Sequence, residues 1–483
     1  MYSTFLLKSK NNNHYLFDKK LKEIKAISEA EYNAFNKIEN DTVSPGNDYH
    51  TRKYDWLKKH GYFGNINSPK KNSGRLNLDI VKYNIANLKQ LVFEVTERCN
   101  LNCTYCAYGQ LYCDYDIRQN RNLSFDIGKK IIDYVITSSE SGYSNLSKKP
   151  LTIGFYGGEP LLNFEFIKKT VSYVNSIKFK RPIRFSMTTN GLLLHKHIDF
   201  LVQHNFRLLI SLDGDEDGNS YRLFHNRKPA FSEIKRNIDI IAEKYPGYYN
   251  ENVNFNAVLH NKNDVVSIMN YVKKTYGKIP AIAPLNDSGI REGAKEEFNE
   301  MFKIINEKEL SQNADYKDIC KDLFLGLPSF TSISNFLFQH TEIFKDSIND
   351  VLIDKREVQY LPTGTCTPFS KKMFITVNNK IMFCERISQQ YFAGYIDDIE
   401  TGLDHLVDSY NNYLEKLEFQ CQRCYYNDSC SLCMYFIEDL DEKPVCKFFI
   451  SKEKYRKHLE AVFTYMENNE ENILRIKNEV VVD

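Results

Sequence analysis

The sequence predicts an α/β protein with a parallel sheet at its centre, and three observations lead to this. Between residues 89 and about 310, short apolar runs alternate six times with helical stretches, as in β-α units. A chain of 483 residues is too long for one ordinary core, so several domains are expected. Ten of the twelve cysteines fall in two groups, one inside this region and one beyond it. The predicted divisions are an N-terminal domain (1–88), the β-α region (89–310), a helical connector (311–360), a cysteine-rich domain (361–450) and a C-terminal helix (451–483).

The N-terminal domain is predicted to be small and α+β. Three short strands of a meander are expected at residues 4–7, 14–17 and 23–27, with a turn at 11–13. Ser28 followed by Glu31 forms the signature of a capping box, which predicts the start of a helix. A second helix is expected over Tyr54–Phe63, closing at Gly61.

The β-α region supplies the strands and helices of the predicted sheet. The expected strands are Leu91–Val95, Leu151–Tyr156, Ile183–Thr188, Leu208–Leu212, Val253–Leu259 and Ile279–Pro284. The expected helices include Phe125–Ile136, Phe164–Ile177, Phe231–Glu243 and Asp264–Tyr276. Parallel barrels carry functional groups on the loops at the carboxyl ends of their strands, so residues that follow these strands are the first candidates for a site.

Cys99, Cys103 and Cys106 directly follow the first predicted strand, with the spacing Cys-X3-Cys-X2-Cys. Soft thiolates favour iron–sulfur clusters or zinc. A structural zinc site usually takes four protein ligands, whereas three thiolates hold three irons of a four-iron cube and leave the fourth iron open. A zinc knuckle and a set of buried free thiols remain the alternatives to a cluster.

Further motifs follow the later strands. Gly157-Gly-Glu-Pro160 follows the second strand, Ser186–Gly191 ends the third and Ser211–Gly214 ends the fourth. Together with the three cysteines, these segments resemble the radical S-adenosylmethionine (radical SAM) enzymes. The resemblance implies a partial (β/α)6 barrel and a four-iron, four-sulfur cluster on Cys99, Cys103 and Cys106. The residues that it implies around S-adenosylmethionine are Tyr105, Gly157, Gly158, Glu159, Pro160, Thr189, Asn190, Ser211, Asp213, Arg222 and Val258.

The resemblance also implies roles for these residues. In the family, the Gly157–Pro160 motif meets the amino group of S-adenosylmethionine, and an arginine at the place of Arg222 pairs with its carboxylate. An aromatic residue at the place of Tyr105 lies against adenine. The alternatives are a solvated helix charge for Arg222 and a core position for Val258. The reduced cluster cleaves the bound nucleotide, giving a 5′-deoxyadenosyl radical that abstracts hydrogen from a C–H bond.

Seven more cysteines lie in the C-terminal region, and their spacing resembles the SPASM domain of radical SAM peptide maturases, which binds two auxiliary clusters. The resemblance assigns Cys421, Cys424, Cys430 and Cys446 to an outer four-iron cluster, and Cys366, Cys384 and Cys433 to an inner one. A zinc ribbon is the alternative. Two such clusters need eight ligands, so the inner cluster takes Cys320, a non-cysteine ligand or a substrate thiolate, or keeps an open iron.

Met373–Cys384 predicts a β-hairpin whose turn holds Asn379, where the SPASM pattern usually has glycine. Asparagine tolerates the positive φ that such a turn needs. Glu385 directly follows Cys384. Sulfatase-maturating relatives carry an acidic residue there that deprotonates the substrate radical, so Glu385 is a candidate catalytic base. An exposed carboxylate at the end of the hairpin is the alternative.

Composition excludes several classes of partner. A net charge of +1 and a pI of about 7.5 give no electrostatic signature of nucleic-acid binding or of binding to an anionic membrane surface. No segment is apolar enough to span a bilayer, and the N-terminus has no long apolar signal core. A cytoplasmic location is therefore expected. Twelve cysteines in a reducing compartment favour metal ligation over disulfides.

These features predict a radical SAM enzyme that modifies a ribosomally synthesised peptide, forming a thioether or another side-chain crosslink. Its expected cofactors are S-adenosylmethionine and three 4Fe-4S clusters, and its expected partners are a precursor peptide with a leader and a one-electron reductant such as flavodoxin or ferredoxin. Residues 1–88 have the outline of a leader-recognition domain, with a structural extension as the alternative. Two other functions stay open: an anaerobic sulfatase-maturating (formylglycine-forming) enzyme, and a non-catalytic iron–sulfur sensor or electron carrier.

Overall fold

A computed structural model describes residues 2–40, 46–65, 74–144, 149–323, 326–340, 366–427, 430 and 432–479. The described residues form two compact units. The first is drawn from 1–75, 327–365 and 412–483, and the second from 76–326 and 366–411. The interval 361–450, predicted as one cysteine-rich domain, is therefore divided between the units. Much of the predicted connector, from residue 341 onwards, lies outside the described residues.

Strands and helices are numbered here in chain order through the described residues. The strands are β1 Thr4–Lys8, β2 His14–Asp18, β3 Glu23–Ile27, β4 Gln90–Thr96, β5 Leu151–Gly157, β6 Ile183–Thr189, β7 Arg207–Ser211, β8 Val253–Leu259, β9 Ala281–Pro284, β10 Lys372–Ile375, β11 Lys380–Met382 and β12 Gly394–Tyr395. The helices are α1 Glu29–Glu39, α2 Tyr49–Lys59, α3 Leu78–Ala86, α4 Phe125–Ser139, α5 Phe164–Ser176, α6 Leu194–Gln203, α7 Phe231–Lys244, α8 Pro246–Asn252, α9 Val265–Tyr276, α10 Lys295–Met301, α11 Glu307–Leu310, α12 Tyr316–Asp322, α13 Pro328–His340, α14 Ile399–Cys421, α15 Lys452–Asn468 and α16 Glu470–Glu479.

The second unit is built on a nine-stranded sheet with the order β12-β11-β10-β4-β5-β6-β7-β8-β9. Strands β4 to β9 are parallel and follow one another in sequence, which confirms the predicted α/β fold. Residues of one strand alternate between the two faces. On one face, Phe93 and Phe155 pack against Phe166 of α5, with ring centroids 5.4 and 6.4 Å apart. Tyr156 and Phe374 lie on the other face, here called the interior face, with centroids 6.2 Å apart.

The predicted C-terminal hairpin is confirmed, and it extends this same sheet. Asn379 in its turn has a φ of 62°, as the sequence predicts. β10 pairs in parallel with β4, aligning Lys372 with Gln90 and Ile375 with Phe93. This pairing was not predicted. It explains why residues 366–411 belong to the unit of the β-α region and not to that of the other C-terminal cysteines.

The first unit contains the predicted three-stranded antiparallel meander, β1-β2-β3. One face of this sheet packs through Leu16 against a cluster that includes Phe35 of α1 and Tyr54 of α2. On the other face, Phe17 meets Phe336 of α13 at a centroid distance of 5.5 Å. The central strand is therefore covered on both faces.

The helices of the first unit differ from prediction at two points. The capping box of Ser28 and Glu31 is present, and α1 begins at Glu29 as expected. The second helix begins five residues earlier than predicted because Asp48 caps it, accepting hydrogen bonds from the backbone N–H groups of His50 and Thr51. The single C-terminal helix expected over 451–483 is two helices, α15 and α16, separated at Asn469. None of the described helices has the length and apolar character needed to cross a membrane.

Candidate functional site

The three cysteines of the β-α region lie in the loop that leaves β4. The loop is tightly turned: the Cys106 N–H donates to the Cys103 carbonyl at 3.1 Å, and the Gly109 N–H donates to the Cys106 carbonyl at 2.7 Å. Burial, with a smaller contribution from the nearby Cys106 thiolate, raises the pKa of Cys99 and of Cys103 to about 12. The three sulfur atoms therefore lie near one another in a site that disfavours free thiolates.

This donor set suits a soft metal group that supplies positive charge to the thiolates. Among the described residues, no three Cys, His, Asp or Glu side chains lie close enough together to hold a single metal ion. Each thiolate of a four-iron cluster binds a different iron, so a cluster does not need ligands that converge on one point. The trio of Cys99, Cys103 and Cys106 fits such a cluster.

Gly157, the last residue of β5, and Gly158 after it let the end of that strand pack against the cysteine loop. A Cβ atom on Gly158 would lie 2.1 Å from the Arg98 carbonyl oxygen, and Gly157 has a φ of 124°. The Gly158 N–H donates to the Thr96 carbonyl at 2.9 Å, and the Glu159 N–H donates to the Arg98 carbonyl at 2.8 Å. The Gly157–Pro160 motif is therefore part of the support of the cysteine loop.

We expect Gly158→Ala to disrupt the cysteine loop, because backbone atoms at 2.1 Å cannot move aside cheaply. Overpacking of this kind costs about 1–3 kcal/mol. Iron bound by the trio and affinity for S-adenosylmethionine should both fall, as measured by iron analysis after anaerobic reconstitution and by equilibrium dialysis. Gly247→Ala is the matched control, because its Cβ would meet open space. Equal iron content in the two variants would contradict the expectation.

Glu159 joins the end of β5 to the end of β6. Its fully buried carboxylate accepts hydrogen bonds from the Asn190 N–H and the Thr189 hydroxyl, both at 2.8 Å, and from the Leu161 N–H at 3.2 Å. Burial raises its pKa to about 7, against the lowering effect of these bonds. Asn190 in turn donates to the Asn100 side chain at 2.7 Å, in the cysteine loop. Glu159 therefore holds Thr189 and Asn190 in place beside the cysteines.

Asp213 and Arg222 are paired with each other, which the sequence did not predict. Both are buried, and the Arg222 Nε and Nη2 atoms each donate to the Asp213 carboxylate at 2.9 Å. Tyr105 also donates its hydroxyl to Asp213, and the Val258 N–H donates at 2.9 Å. Burial raises the pKa of Asp213, but the charge of Arg222 and the hydrogen bonds from Arg222 and Tyr105 outweigh it and hold the pKa at about 2.

Tyr105, which contacts this ion pair through its hydroxyl, belongs to an aromatic cluster. Its ring stacks on His260, with centroids 5.5 Å apart and planes 29° apart, and Val258 packs against the same cluster. Sequence reasoning missed His260 and also Asn256, whose side chain accepts a hydrogen bond from the Ser211 hydroxyl at 3.2 Å. His260 follows β8 directly, so the rule about carboxyl ends of parallel strands identifies it.

The second cysteine group is partly gathered in the first unit. The four residues predicted for the outer cluster influence one another there: burial, together with the neighbouring thiolates, raises the pKa of Cys421 to about 12. The same causes raise the pKa of Cys430 and Cys446. The thiols that act on one another are Cys421, Cys424, Cys430 and Cys446. Their donor chemistry fits a four-thiolate cluster.

The residues predicted for the inner cluster come from both units, with Cys366 and Cys384 in the second and Cys433 in the first. Glu385, the candidate base, is partly buried and forms a two-pronged ion pair with Lys372 of β10, at 2.6 and 2.8 Å. The ion pair therefore fixes the orientation of the carboxylate. Lys372 was not identified from the sequence.

Comparisons with known proteins agree with this geometry. Residues 93–272 match the Radical SAM superfamily. The chain is 32% identical over 177 residues to an uncharacterised protein of Methanocaldococcus jannaschii, MJ0907, covering 36% of this chain and 54% of that protein. It is 30% identical over 210 residues to a cysteine-type anaerobic sulfatase-maturating enzyme of Clostridium novyi, covering 41% and 53%. The matched region thus spans about half the length of these relatives.

Among solved structures, the fold resembles that of native anSMEcpe with bound AdoMet and Cp18Cys peptide. The TM-score is 0.51 at 19% identity, and the alignment covers 81% of this chain and 99% of that one. At this identity the likeness shows the fold alone. The matched residues include the cysteine trio, the two glycines at the end of β5 and the buried polar groups at the ends of β6, β7 and β8. Residues 93–272 are therefore the part of the chain that is similar to the radical SAM superfamily.

Proposed function

We propose that this chain is a radical SAM enzyme that modifies a ribosomally synthesised peptide, forming a thioether or another side-chain crosslink. The observation that carries the proposal is the position of Tyr156 on the interior face of the sheet. Burial raises the pKa of Tyr156, and the charges of Glu385 and Cys106 raise it further because the phenol lies near both. Cys106 of the trio and the candidate base therefore both lie near Tyr156 within the second unit.

The residues of the site have distinct proposed roles. Cys99, Cys103 and Cys106 hold a 4Fe-4S cluster that, when bound and reduced, cleaves S-adenosylmethionine to give a hydrogen-abstracting 5′-deoxyadenosyl radical. Residues at the ends of β5 to β8 bind and orient the nucleotide. Glu385 accepts the proton that the substrate gives up, with Lys372 fixing the direction of its carboxylate.

A crosslink of this kind removes two hydrogens from the peptide. One leaves as an atom to the nucleotide radical and one as a proton to Glu385, and one electron leaves to an iron–sulfur acceptor. The seven C-terminal cysteines support a thioether in particular, because a site one ligand short of eight can take a substrate thiolate. Four protein thiolates on the inner cluster, observed by Mössbauer spectroscopy, would remove this support.

The first unit supports a peptide substrate with a leader. Its sheet has the three-stranded meander expected of a leader-recognition domain, and β3 pairs with β2 alone among the described strands. An edge strand offers unpaired backbone groups to a peptide in extended conformation. We further propose that the enzyme works in the cytoplasm with a flavodoxin or ferredoxin as its one-electron reductant.

The test has two steps: a search of the neighbouring genes for a short cysteine-containing open reading frame, and anaerobic co-expression of this chain with the peptide that it encodes. Mass spectrometry should show the loss of two hydrogens per crosslink, and a thioether should protect one cysteine per crosslink from iodoacetamide. The sulfatase-maturating alternative is favoured by the similarity to the Clostridium novyi enzyme and by Glu385. It predicts formylglycine in place of a crosslink. A sensor or electron carrier would release no 5′-deoxyadenosine at all.

We expect Glu385→Gln to lower the yield of modified peptide about 100-fold, the usual contribution of a general base. Formation of 5′-deoxyadenosine should persist, because Glu385 does not hold the nucleotide. Chromatography of the nucleoside and mass spectrometry of the peptide from one reaction measure both. Glu292→Gln is the control, since that side chain is largely exposed. Unchanged peptide yield would exclude Glu385 as the base.

A further inference from the structure

The N-terminal part of the first unit is basic in a nearly neutral chain. Residues 1–75 contain fourteen Lys and Arg against eight Asp and Glu, whereas the whole chain has a net charge of +1. The remainder of the chain is therefore acidic on balance. Part of this excess lies on α2, which has four cations, Arg52, Lys53, Lys58 and Lys59, against one acidic residue, Asp55. A locally positive surface attracts an acidic partner and steers it toward binding.

Helix α2 also carries two exposed aromatic side chains. Trp56 is 54% exposed and Tyr49 is 59% exposed, and their separation of seven positions, about two turns, places both on one side of the helix. The opposite side of α2, with Thr51, Tyr54 and Leu57, is buried. The helix therefore lies with Trp56 and Tyr49 on its solvent-exposed side.

The indole of Trp56 is also held in place. The His60 ring stacks on it, with centroids 3.8 Å apart and planes 25° apart. Two exposed cations, Arg52 and Lys59, lie on the same side of the helix. We call Tyr49, Arg52, Trp56, Lys59 and His60 the α2 outer face. Exposed apolar groups rimmed by charge mark docking sites, and Trp, Tyr and Arg dominate binding energy at such sites.

We propose that the α2 outer face is the docking surface for an acidic segment of the precursor peptide. An apolar or aromatic side chain of the peptide packs against Trp56 and Tyr49, and its carboxylates pair with Arg52 and Lys59. The proposal rests on the proposed function, because it takes the precursor peptide as the partner. It goes beyond that function by naming the charge of the peptide and the residues that bind it.

Trp56 is the only tryptophan of the chain, so intrinsic fluorescence reports on this surface directly. The probe is the synthetic leader half of the precursor used for co-expression, titrated into the full-length enzyme. We expect a saturable change in tryptophan emission that weakens as salt rises, because screening reduces charge attraction. An analogue with Asn and Gln in place of Asp and Glu should bind at least 10-fold more weakly.

Variants locate the surface independently of the fluorescence signal, with binding read from the anisotropy of a labelled leader. R52E/K59E and Y49A/W56A should each weaken binding at least 10-fold while thermal unfolding stays unchanged. K274E/K457E removes the same number of exposed cations elsewhere and should bind as the parent does. Wild-type affinity in R52E/K59E, or leader binding with no change in tryptophan emission, overturns the proposal.

The α2 outer face could instead join two copies of this chain. In that case Y49A/W56A would convert a dimer to a monomer in light-scattering measurements and leave leader affinity unchanged, which also overturns the proposal. Release of 5′-deoxyadenosine and modification of a leaderless peptide at high concentration test the proposed function separately. If R52E/K59E loses leader binding but still releases 5′-deoxyadenosine and modifies the leaderless peptide, the docking proposal and the proposed function are both supported.

Discussion

Replacing Cys99, Cys103 and Cys106 with alanine should abolish the formation of 5′-deoxyadenosine, with a loss of at least about 1,000-fold. The expected cause is local, since these thiols are the donors gathered in the loop after β4. The outer quartet lies in the other unit and should keep its iron. Iron analysis and electron paramagnetic resonance after anaerobic reconstitution should therefore show loss of one cluster signal and retention of the rest.

Cys113→Ala is the control for the trio. This cysteine follows the trio closely in sequence, but it is exposed, and its thiol donates to the Gly289 carbonyl at 3.3 Å. The control should keep both nucleotide cleavage and iron content. Cleavage by the triple variant, or zinc in place of iron at the trio of the parent protein, would remove the basis of the proposed function.

Removing the Arg222 guanidinium should strongly destabilise the second unit. Arg222→Met leaves the carboxylate of Asp213 buried without its cation, and breaking a buried pair in this way costs about 3–5 kcal/mol. The double variant R222M/D213N should lose less than the single variant R222M, because no uncompensated charge remains. Urea unfolding followed by circular dichroism measures both free energies.

A surface ion pair provides the contrast. Lys244 and Asp199 lie 2.7 Å apart but are both well exposed, so Lys244→Met should leave the unfolding midpoint unchanged. If R222M is no less stable than K244M, the buried pair is not structural. Arg222 would then be free for the carboxylate of S-adenosylmethionine, as the family resemblance implies.

The same pair predicts a pH dependence. The folded-state pKa of Asp213 is about 2, below its ordinary value of 3.8. An acid whose pKa is depressed by folding adds stability above its unfolded pKa, and that stability is lost as the pH falls through the folded value. The parent protein should therefore lose stability between about pH 4 and pH 2, and D213N should lose less over that range.

Several elements could be predicted from the sequence to within a residue or two. β8 has the predicted bounds Val253–Leu259, and α1 begins at the predicted capping box. Both signals are local: one is a run of side chains with a strand period, and the other is a pair of side chains three residues apart. The start of α2 was missed because its local signal, Asp48, lies outside the apolar pattern that was used to place the helix.

Contacts between distant residues could not be predicted in the same way. Nothing in Lys372–Ile375 indicates that β10 pairs with β4, because register between strands far apart in sequence is set by packing of both. The ion pair of Asp213 and Arg222 was likewise hidden. The sequence assigned each residue to the nucleotide pocket separately. Only the structure shows that the Arg222 guanidinium and the Asp213 carboxylate are hydrogen-bonded to each other.

The sequence by itself determined the β-α order of the central region and the spacing of the cysteines, since both are written in short stretches of chain. Tertiary structure alone decided which charges neutralise one another, which cysteines gather, and where the C-terminal hairpin joins the sheet. The physical reason is that burial and neighbouring charges set the pKa of an ionisable group. Both depend on residues supplied by other parts of the chain.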